Sequence, residues 1–348
     1  MRAVVGLSGG VDSSLAAALA VEAGYEAIGV GVRNLAGASR CCSLDDARRV
    51  CRQLGMRFYA VDRVDGFRRD VMEPFADAYL AGRTPLPCAA CNRSFKFDVL
   101  LARARSFGAE RVVTGHFARV EPDPATGKVL LRRGVDRSKD QSYFLFQLDQ
   151  GTLERVWFPL GGLGKSQVRE QARVRGLVTA DKPESQEICF VPDGDYASVV
   201  EELRPGADRP GAVVDESGRT IGRHAGVHRF TVGQRRGLGV ASGRRTYVTA
   251  LDAQSSTVRV GPEHELAAHA ARLRDTSWIA GEAPAPFRAE VQVRYRHAGA
   301  KAWVEPRADA GACVRFDEPV NAVSPGQAAV FYDGDTLLGG GFIDEALR

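Results

Sequence analysis

AVVGLSGGVDS, from Ala3 to Ser13, decides the fold of this 348-residue chain. Ala3–Leu7 is an apolar run of strand length. Ser8-Gly9-Gly10-Val11-Asp12-Ser13 follows, and the spacing from Ser14 to Ala23 predicts a helix that stops at Gly24. Gly9 and Gly10 let the backbone bend sharply and let a ligand approach with no Cβ in the way. Ser8 and Ser13 offer hydroxyls, and the helix N-terminus offers unpaired N–H groups and about half a positive charge. Such a nest suits pyrophosphate. Asp12 would repel a bare phosphate, so its presence points to Mg²⁺ or to a water-mediated hold on ribose or phosphate.

Further along, Ala27–Val32, Arg57–Asp62 and Arg111–Thr114 read as strands, and Leu44–Leu54 reads as a helix ending at Gly55. Ser43 with Asp46 three residues on gives that helix a capping-box start. Alternating strands and helices imply a parallel sheet covered by helices. Residues 140–182 look mainly helical. From Pro205 the chain turns rich in Gly, Arg and Val, with alternating runs at Gly211–Ile221, His228–Gly239 and Thr246–Val260. Residues 287–343 look all-β, as in Ala289–Tyr295 and Ala328–Tyr332. Linkers are expected near Arg204–Pro210 and His264–Arg274.

The bulk numbers fit a cytosolic globular protein of two or three domains: 44% hydrophobic residues, 47 cations against 43 anions, and net charge +4. That surplus permits nucleic-acid binding without arguing for it. The first residues lack the apolar core of a signal peptide, and no apolar stretch reaches bilayer-spanning length. In a reducing cytosol the seven Cys read as chemical, metal-binding or buried groups rather than disulfides. Cys88-Ala-Ala-Cys91 follows the stiff run Thr84-Pro85-Leu86-Pro87, and Ser185-Gln186-Glu187-Ile188-Cys189 presents a third thiol. A structural zinc would want four ligands, and no second C-x-x-C occurs. Cys51 and Cys313 read as core. Cys41 and Cys42 stay open between loop filler and a sulfur relay. Gly161–Ser166 (GGLGKS) mimics the tail of a Walker loop, but that loop needs a Gly where Pro159 stands. Lys165-Ser166 is expected instead to open a helix running to Arg175.

The string SGGVDS resembles the signature of the N-type ATP pyrophosphatases, which split ATP into AMP and pyrophosphate. Together with CCSLDDARRVCRQLG (41–55), CNRSFKF (91–97), TGHFAR (114–119), KDQSYFL (139–145), SQEICFVP (185–192), GVHRFTVGQRRGLGV (226–240), VRYRH (293–297) and PGQAAVFYDG (325–334), it makes the chain resemble, nearly end to end, the tRNA-specific 2-thiouridylases.

The resemblance implies an α/β fold in three parts: a parallel-sheet PP-loop pyrophosphatase domain (1–204), a small central α+β domain touching tRNA (205–270) and a C-terminal β-barrel (271–348). It implies ATP and Mg²⁺ on Gly6, Leu7, Ser8, Gly9, Gly10, Val11, Asp12 and Ser13, with Val32 and Gly115 around the adenosine. ATP would adenylate the C2 oxygen of a wobble uridine in the anticodon stem-loop of tRNAs for Lys, Glu and Gln. Cys189 matches the persulfide carrier and Cys91 its catalytic partner, the pair ending as a disulfide. A cysteine desulfurase or relay protein would supply the sulfur. Cys88, His116, Lys139, Asp140, Gln141, Arg294, Tyr295 and Gln327 match positions near tRNA or the target base. The arginines of Gln234–Arg236, Arg244-Arg245 and Arg294–Arg296 can hold phosphates.

In one respect the sequence departs from the family. Cys88 stands where much of the family carries Asp. Cys88, Cys91 and Cys189 then make a three-cysteine set of the kind on which related tRNA thiolases hold a four-iron, four-sulfur cluster with one iron open. Cluster-borne sulfide and a cluster-free persulfide both remain open. An amide ligase is disfavoured by the three cysteines, and a noncatalytic tRNA binder by the intact Ser8, Asp12 and Ser13.

Overall fold

The computed structural model describes residues 1–36, 43–184, 188–240 and 245–348. Cys41, Cys42, Ser185–Glu187 and Arg244 lie outside the described residues. Five parallel strands form the first sheet, in the order Arg57–Asp62, Glu26–Arg33, Arg2–Gly6, Arg111–Val113, Val156–Trp157. The chain moves outward in one direction from Arg2–Gly6 and then returns to its other side. The loops leaving Arg2–Gly6 and Arg111–Val113 therefore diverge and open a crevice at their carboxyl ends, where open α/β sheets bind ligands. The helix Val11–Glu22 packs Ala16, Ala17 and Ala20 against the sheet and Leu15 into a separate cluster with Val168 and Ala172 of the helix Lys165–Val174. The helix Leu44–Gln53 starts as its sequence dictates, with the Ser43 side chain accepting from the Asp46 amide.

A four-stranded sheet follows, ordered Tyr247–Asp252, Thr257–Gly261, Gly211–Val214, Thr220–His224. Six strands then close into a barrel: Ala267–Trp278, Ala312–Asn321, Ala300–Pro306, Phe287–Gln292, Ala328–Asp333 and Thr336–Leu347, the last pairing back to the first. The hairpin Ala118–Pro122/Val129–Arg133, inserted in the first domain, pairs with Thr336–Leu347 and extends the barrel sheet. One hydrophobic core therefore runs from Val4 and Leu100 through Tyr143 and Phe146 to Val330 and Tyr332. Among the described residues no helix is long and apolar enough to cross a membrane.

Several sequence expectations need correction. Residues 140–182 hold only the short turns Ser142–Leu145 and Gln150–Leu153, the strand Val156–Trp157 and one full helix, Lys165–Val174. Their apolar residues Tyr143, Leu145, Phe146 and Leu148 are not a helix face; they plug the space between sheet and barrel. His228–Gly239 is not a strand. Positive φ at Gly233, Gly237 and Gly239 breaks it, and Phe230, Val232 and Leu238 are buried from a loop. His264–Arg274 is no linker, because the strand Ala267–Trp278 starts inside it, and the division drawn at residue 270 cuts that strand. Cys313 is half-buried rather than core, whereas Cys51 is buried. The hairpin at 118–133 had no counterpart in the sequence reading.

Gly161 shows how tightly the hairpin sits. A Cβ there would overlap the Ala118 carbonyl, whereas a Cβ at the neighbouring Gly162 meets none of the described residues within 4 Å. Gly161→Ala is expected to cost about 1–3 kcal/mol of stability by overpacking. Gly162→Ala should stay within about 0.5 kcal/mol of wild type. Thermal or urea unfolding of the two variants checks this; equal effects would contradict the packing described.

Candidate active site

The glycine loop leaves the strand Arg2–Gly6 at the crevice. Ser13 Oγ accepts from the Ser8 amide at 3.2 Å and donates to the Gly10 carbonyl at 3.1 Å, which fixes the curve of the loop. Gly9 has φ +76°, in the left-handed region, and the Ser8 carbonyl accepts from the Ser43 amide at 2.8 Å. Among the described residues a Cβ at Gly10 would meet only Ser8 Oγ, at 3.6 Å, which leaves room for a ligand on this side of the loop. From the next loop, a Cβ at Gly115 would fall 2.7 Å from the Asp12 carbonyl carbon and 2.8 Å from the Ser13 amide nitrogen. Only glycine lets these two loops touch. Val32 lies at the carboxyl end of its strand and packs against both the central core and a second cluster built on Phe67, Phe75 and Phe190.

Lys165 opens its helix as expected, but its ammonium also reaches Asp12, 2.6 and 2.8 Å from the two carboxylate oxygens. The same ammonium lies 3.2 Å from Glu184, which also binds Lys139 at 2.7 Å and Arg169 at 3.5 Å. Lys182 donates to the Gly9 carbonyl at 2.9 Å and to Asp46 at 2.8 Å. Burial pushes the Asp12 carboxyl above the usual range, with Lys165 opposing. Burial would also raise Glu184, but Lys139 and Lys165 outweigh it and hold that carboxyl low. A cation already bridges Asp12 and Glu184, so the donor set suits a divalent ion with hard oxygen ligands. Sequence reading missed Lys165, Lys182 and Glu184 because nothing local marks them.

The thiols lie next to this crevice. Cys88 and Cys91 bracket the short helix Pro87–Cys91. Cys91 and Cys189, both half-buried, pack on the cluster of Phe67, Phe75 and Phe190 that Val32 also touches. The Asn34 amide donates toward Cys189 Sγ at 3.9 Å. Cys51, by contrast, is buried and its thiol is pushed up to about 12, which keeps it protonated and inert. Among the described residues, the donors converging within 4.8 Å as ligands of a single ion would are Glu201, Asp208 and His228, not the three cysteines. A four-iron cluster spaces its thiolates more widely, so this spacing excludes only a one-ion site.

The remaining expected residues divide between the crevice and the scaffold. His116 is buried, stacked on Phe97, with Nδ1 2.7 Å from Thr114 Oγ1 and Nε2 3.4 Å from Lys96 Nζ. Lys96 also donates to Asn92, beside Cys91, at 2.9 Å. Asp140 is buried and its carboxylate is occupied by the Gly134 and Ser142 amides and the Ser142 hydroxyl. These bonds shape the turn. Gln141 accepts from the Phe117 amide at 3.1 Å. Gln327 donates to the carbonyls of Thr84 and Pro85, and Thr84 donates to the Pro325 carbonyl, so the barrel grips the loop that presents Cys88. Tyr295 packs at a tilt on Phe144, ring centroids 4.6 Å apart, and the Phe144 carbonyl accepts from Asn92. Arg294 donates to the Asn321 carbonyl.

Comparison with known proteins matches the family descriptions "tRNA methyl transferase HUP domain" to residues 1–193, "tRNA methyl transferase PRC-barrel domain" to 200–262 and "Aminomethyltransferase beta-barrel domain" to 268–343. The tRNA-specific 2-thiouridylase MnmA of Acidobacterium capsulatum is 49% identical, over 97% of this chain and 98% of its own. The proteins of that name from Geobacter metallireducens and Sorangium cellulosum are 47% and 48% identical, over 99% and 100% of this chain and 97% and 93% of theirs. Among solved structures, a 4-thiouridine synthetase bound to RNA and ATP is similar at 21% identity and TM-score 0.41, over 59% of this chain and 50% of that one, too remote to inform the chemistry.

Burial and the nearby Lys96 hold the His116 imidazole well below its ordinary range. The unfolded chain therefore binds a proton that the folded chain refuses, so this contribution to stability is present above the ordinary pKa of about 6.5 and is lost as pH falls below it. Melting temperature should drop between about pH 7.5 and 5.5, and His116→Gln should drop less across the same window. Equal drops would contradict a neutral, buried His116.

Proposed function

Because the chain belongs to the tRNA-specific 2-thiouridylase family, we propose that sulfur reaches its substrate uridine as a persulfide on Cys189, resolved by Cys91. The chain is an ATP-dependent tRNA sulfurtransferase that makes 2-thiouridine. The observation that carries the proposal is that Cys91 and Cys189 share one apolar cluster with Val32, the strand end beside the glycine loop. Nucleotide and sulfur thus meet at one crevice.

Chemistry sets the order of events. A uracil carbonyl is a poor electrophile with a poor leaving group. Its C2 oxygen attacks the α-phosphorus of ATP, pyrophosphate departs, and the N3 proton is lost. Residues Gly6–Ser13 receive the phosphates at the helix N-terminus. Asp12, with Glu184 nearby, would hold Mg²⁺, which when bound supplies charge neutralisation for the departing pyrophosphate. The Asn34 amide favours the anionic sulfur at Cys189. The terminal persulfide sulfur attacks C2. The Cys91 thiolate then attacks Cys189 Sγ, breaking the S–S bond and leaving sulfur on C2. AMP leaves, Cys91 and Cys189 end as a disulfide, and an external dithiol resets them. The neutral His116 and Lys96, which holds Asn92, the residue after Cys91, would orient the base.

Tyr295, Arg294 and Arg296 lie on a barrel loop next to this crevice, suited to an unstacked anticodon-loop base and its phosphates. On the family's pattern that base is the wobble uridine of tRNAs for Lys, Glu and Gln, and a cytosolic cysteine desulfurase or relay protein loads the sulfur. Cys88 here occupies the place of an Asp and needs no cluster.

Asp12→Ala is expected to abolish pyrophosphate release and thiolation alike, with the melting temperature little changed. Cys189→Ser and Cys91→Ser should each lower thiolation by roughly 100-fold or more. Cys88→Asp should keep substantial activity. Thiolation and pyrophosphate assays with iron counted on the same samples check this. Near-normal turnover by folded Asp12→Ala would remove the nucleotide role, and activity tracking iron would replace the persulfide with a cluster.

A further inference from the structure

We infer that Arg133 is a positioning residue for RNA: from inside the first domain it fixes where the barrel loop carrying Arg294, Tyr295 and Arg296 stands relative to the crevice. This rests on the reading of that loop as RNA-facing, and not on how the sulfur is carried. Arg133 ends the hairpin strand Val129–Arg133 and is buried where that hairpin meets the barrel. A guanidinium offers five N–H donors in a rigid plane, so one buried arginine can hold several partners at fixed angles. Its Nη1 donates to Gln292 at 3.0 Å and its Nη2 to Glu290 at 2.8 Å, both on the barrel strand Phe287–Gln292. Nη1 also lies 3.7 Å from the Asp140 carboxylate, and the guanidinium covers the Tyr332 ring at 3.4 Å.

Asp140 leads from Arg133 to the nucleotide side. It accepts from the Gly134 and Ser142 amides, and the Ser142 hydroxyl joins Asp140 at 2.9 Å to the Tyr332 hydroxyl at 3.0 Å. The same turn is anchored at the crevice, because Asp136 accepts from the Lys165 amide and Lys139 pairs with Glu184. Gln292 leads the other way. Its Nε2 donates at 3.2 Å to the Arg294 carbonyl, which also accepts from the His297 amide at 3.1 Å. These bonds close a turn in which Arg296 takes φ +63°, a left-handed conformation that an arginine keeps only where its surroundings hold it. Glu290 braces the far end of the loop, since a Cβ at Gly299 would fall 2.4 Å from Glu290 Cγ. Arg294 and Arg296 stand exposed on this braced loop. Phosphate contacts fix the register of a protein on its nucleic acid, so cations on the loop serve a base in the crevice only if the spacing between the two is held. Arg133 holds it from both sides.

The test counts phosphates. Binding of an unmodified transcript of the tRNA for Glu is measured across a salt series, in which each phosphate contact contributes roughly 0.7–0.9 to the log–log slope. Arg133→Lys keeps a cation between Asp140 and Glu290 but loses the fork that also reaches Gln292. It should weaken binding about tenfold and flatten the slope by about 1–2, with affinity for an ATP analogue unchanged. Gln292→Met leaves the charges around Arg133 paired and breaks the link to the Arg294 carbonyl. It should flatten the slope in the same way, and it carries the test if Arg133→Lys does not fold. Arg294→Ala with Arg296→Ala is the reference: it should flatten the slope, and adding Arg133→Lys to it should change little more, because the loop is already silent. A merely structural Arg133 would lower the melting temperature and the fraction of protein able to bind, and leave the slope at its wild-type value. That result overturns the inference, as do losses that simply add. If Arg294→Ala with Arg296→Ala keeps the wild-type slope, the reading of the loop as RNA-facing falls first and takes the inference with it.

Discussion

A carboxylate in the first turn of a helix that must receive a polyanion needs a cation beside it, and Asp12 sets that requirement for the whole crevice. Lys165 meets it in this structure, held 2.6 and 2.8 Å from the Asp12 oxygens. The rest of the charge pattern follows from that pair. Glu184 shares the ammonium, Lys139 and Arg169 balance Glu184, and Lys182 closes the loop from the other side. Desolvation makes each of these charges dependent on its partners. Asp12 and Glu184, from separate segments, thus share one cation.

The barrel performs a second task at the same crevice. Its loop Pro325–Gln327 bonds to Thr84 and Pro85, and Tyr295 packs at a tilt against Phe144, whose carbonyl holds Asn92. The short helix with Cys88 and Cys91 is thus gripped between catalytic and barrel elements. The hairpin at 118–133 strengthens the union by adding two strands of the first domain to the barrel sheet. The barrel loop that carries Tyr295 is thus part of the scaffold of the thiols.

Much of the first domain was legible because its signals are local. Gly24 and Gly55 stop helices, Ser43 caps one, and the glycine loop names its own position between strand and helix. The nucleotide residues and the cysteines carry spacing that a reader can recognise. Lys165 and Glu184 carry none: their meaning comes from segments such as Asp12 and Lys165, 153 residues apart, being folded against each other. Asp140 and Gln327 show the opposite pattern. They stand in a recognisable string, yet their side chains are engaged with backbone groups of this chain. The helical look of 140–182 failed because buried residues that fill a gap between two layers need no periodicity. The strand Ala267–Trp278 was hidden because its small alanines give little contrast between faces.

The central claim is that Cys189 delivers sulfur to an ATP-activated uridine with no iron taking part. The most direct test is a single turnover by anaerobically prepared, iron-free protein whose cysteines have been loaded with labelled persulfide sulfur, mixed with ATP, Mg²⁺ and unmodified substrate tRNA. The account predicts that label appears in 2-thiouridine together with AMP and pyrophosphate in equal amounts, and that Cys91 and Cys189 are recovered as a disulfide. Labelled persulfide that stays on the protein, with thiolation restored only when iron and sulfide are rebuilt, would contradict it.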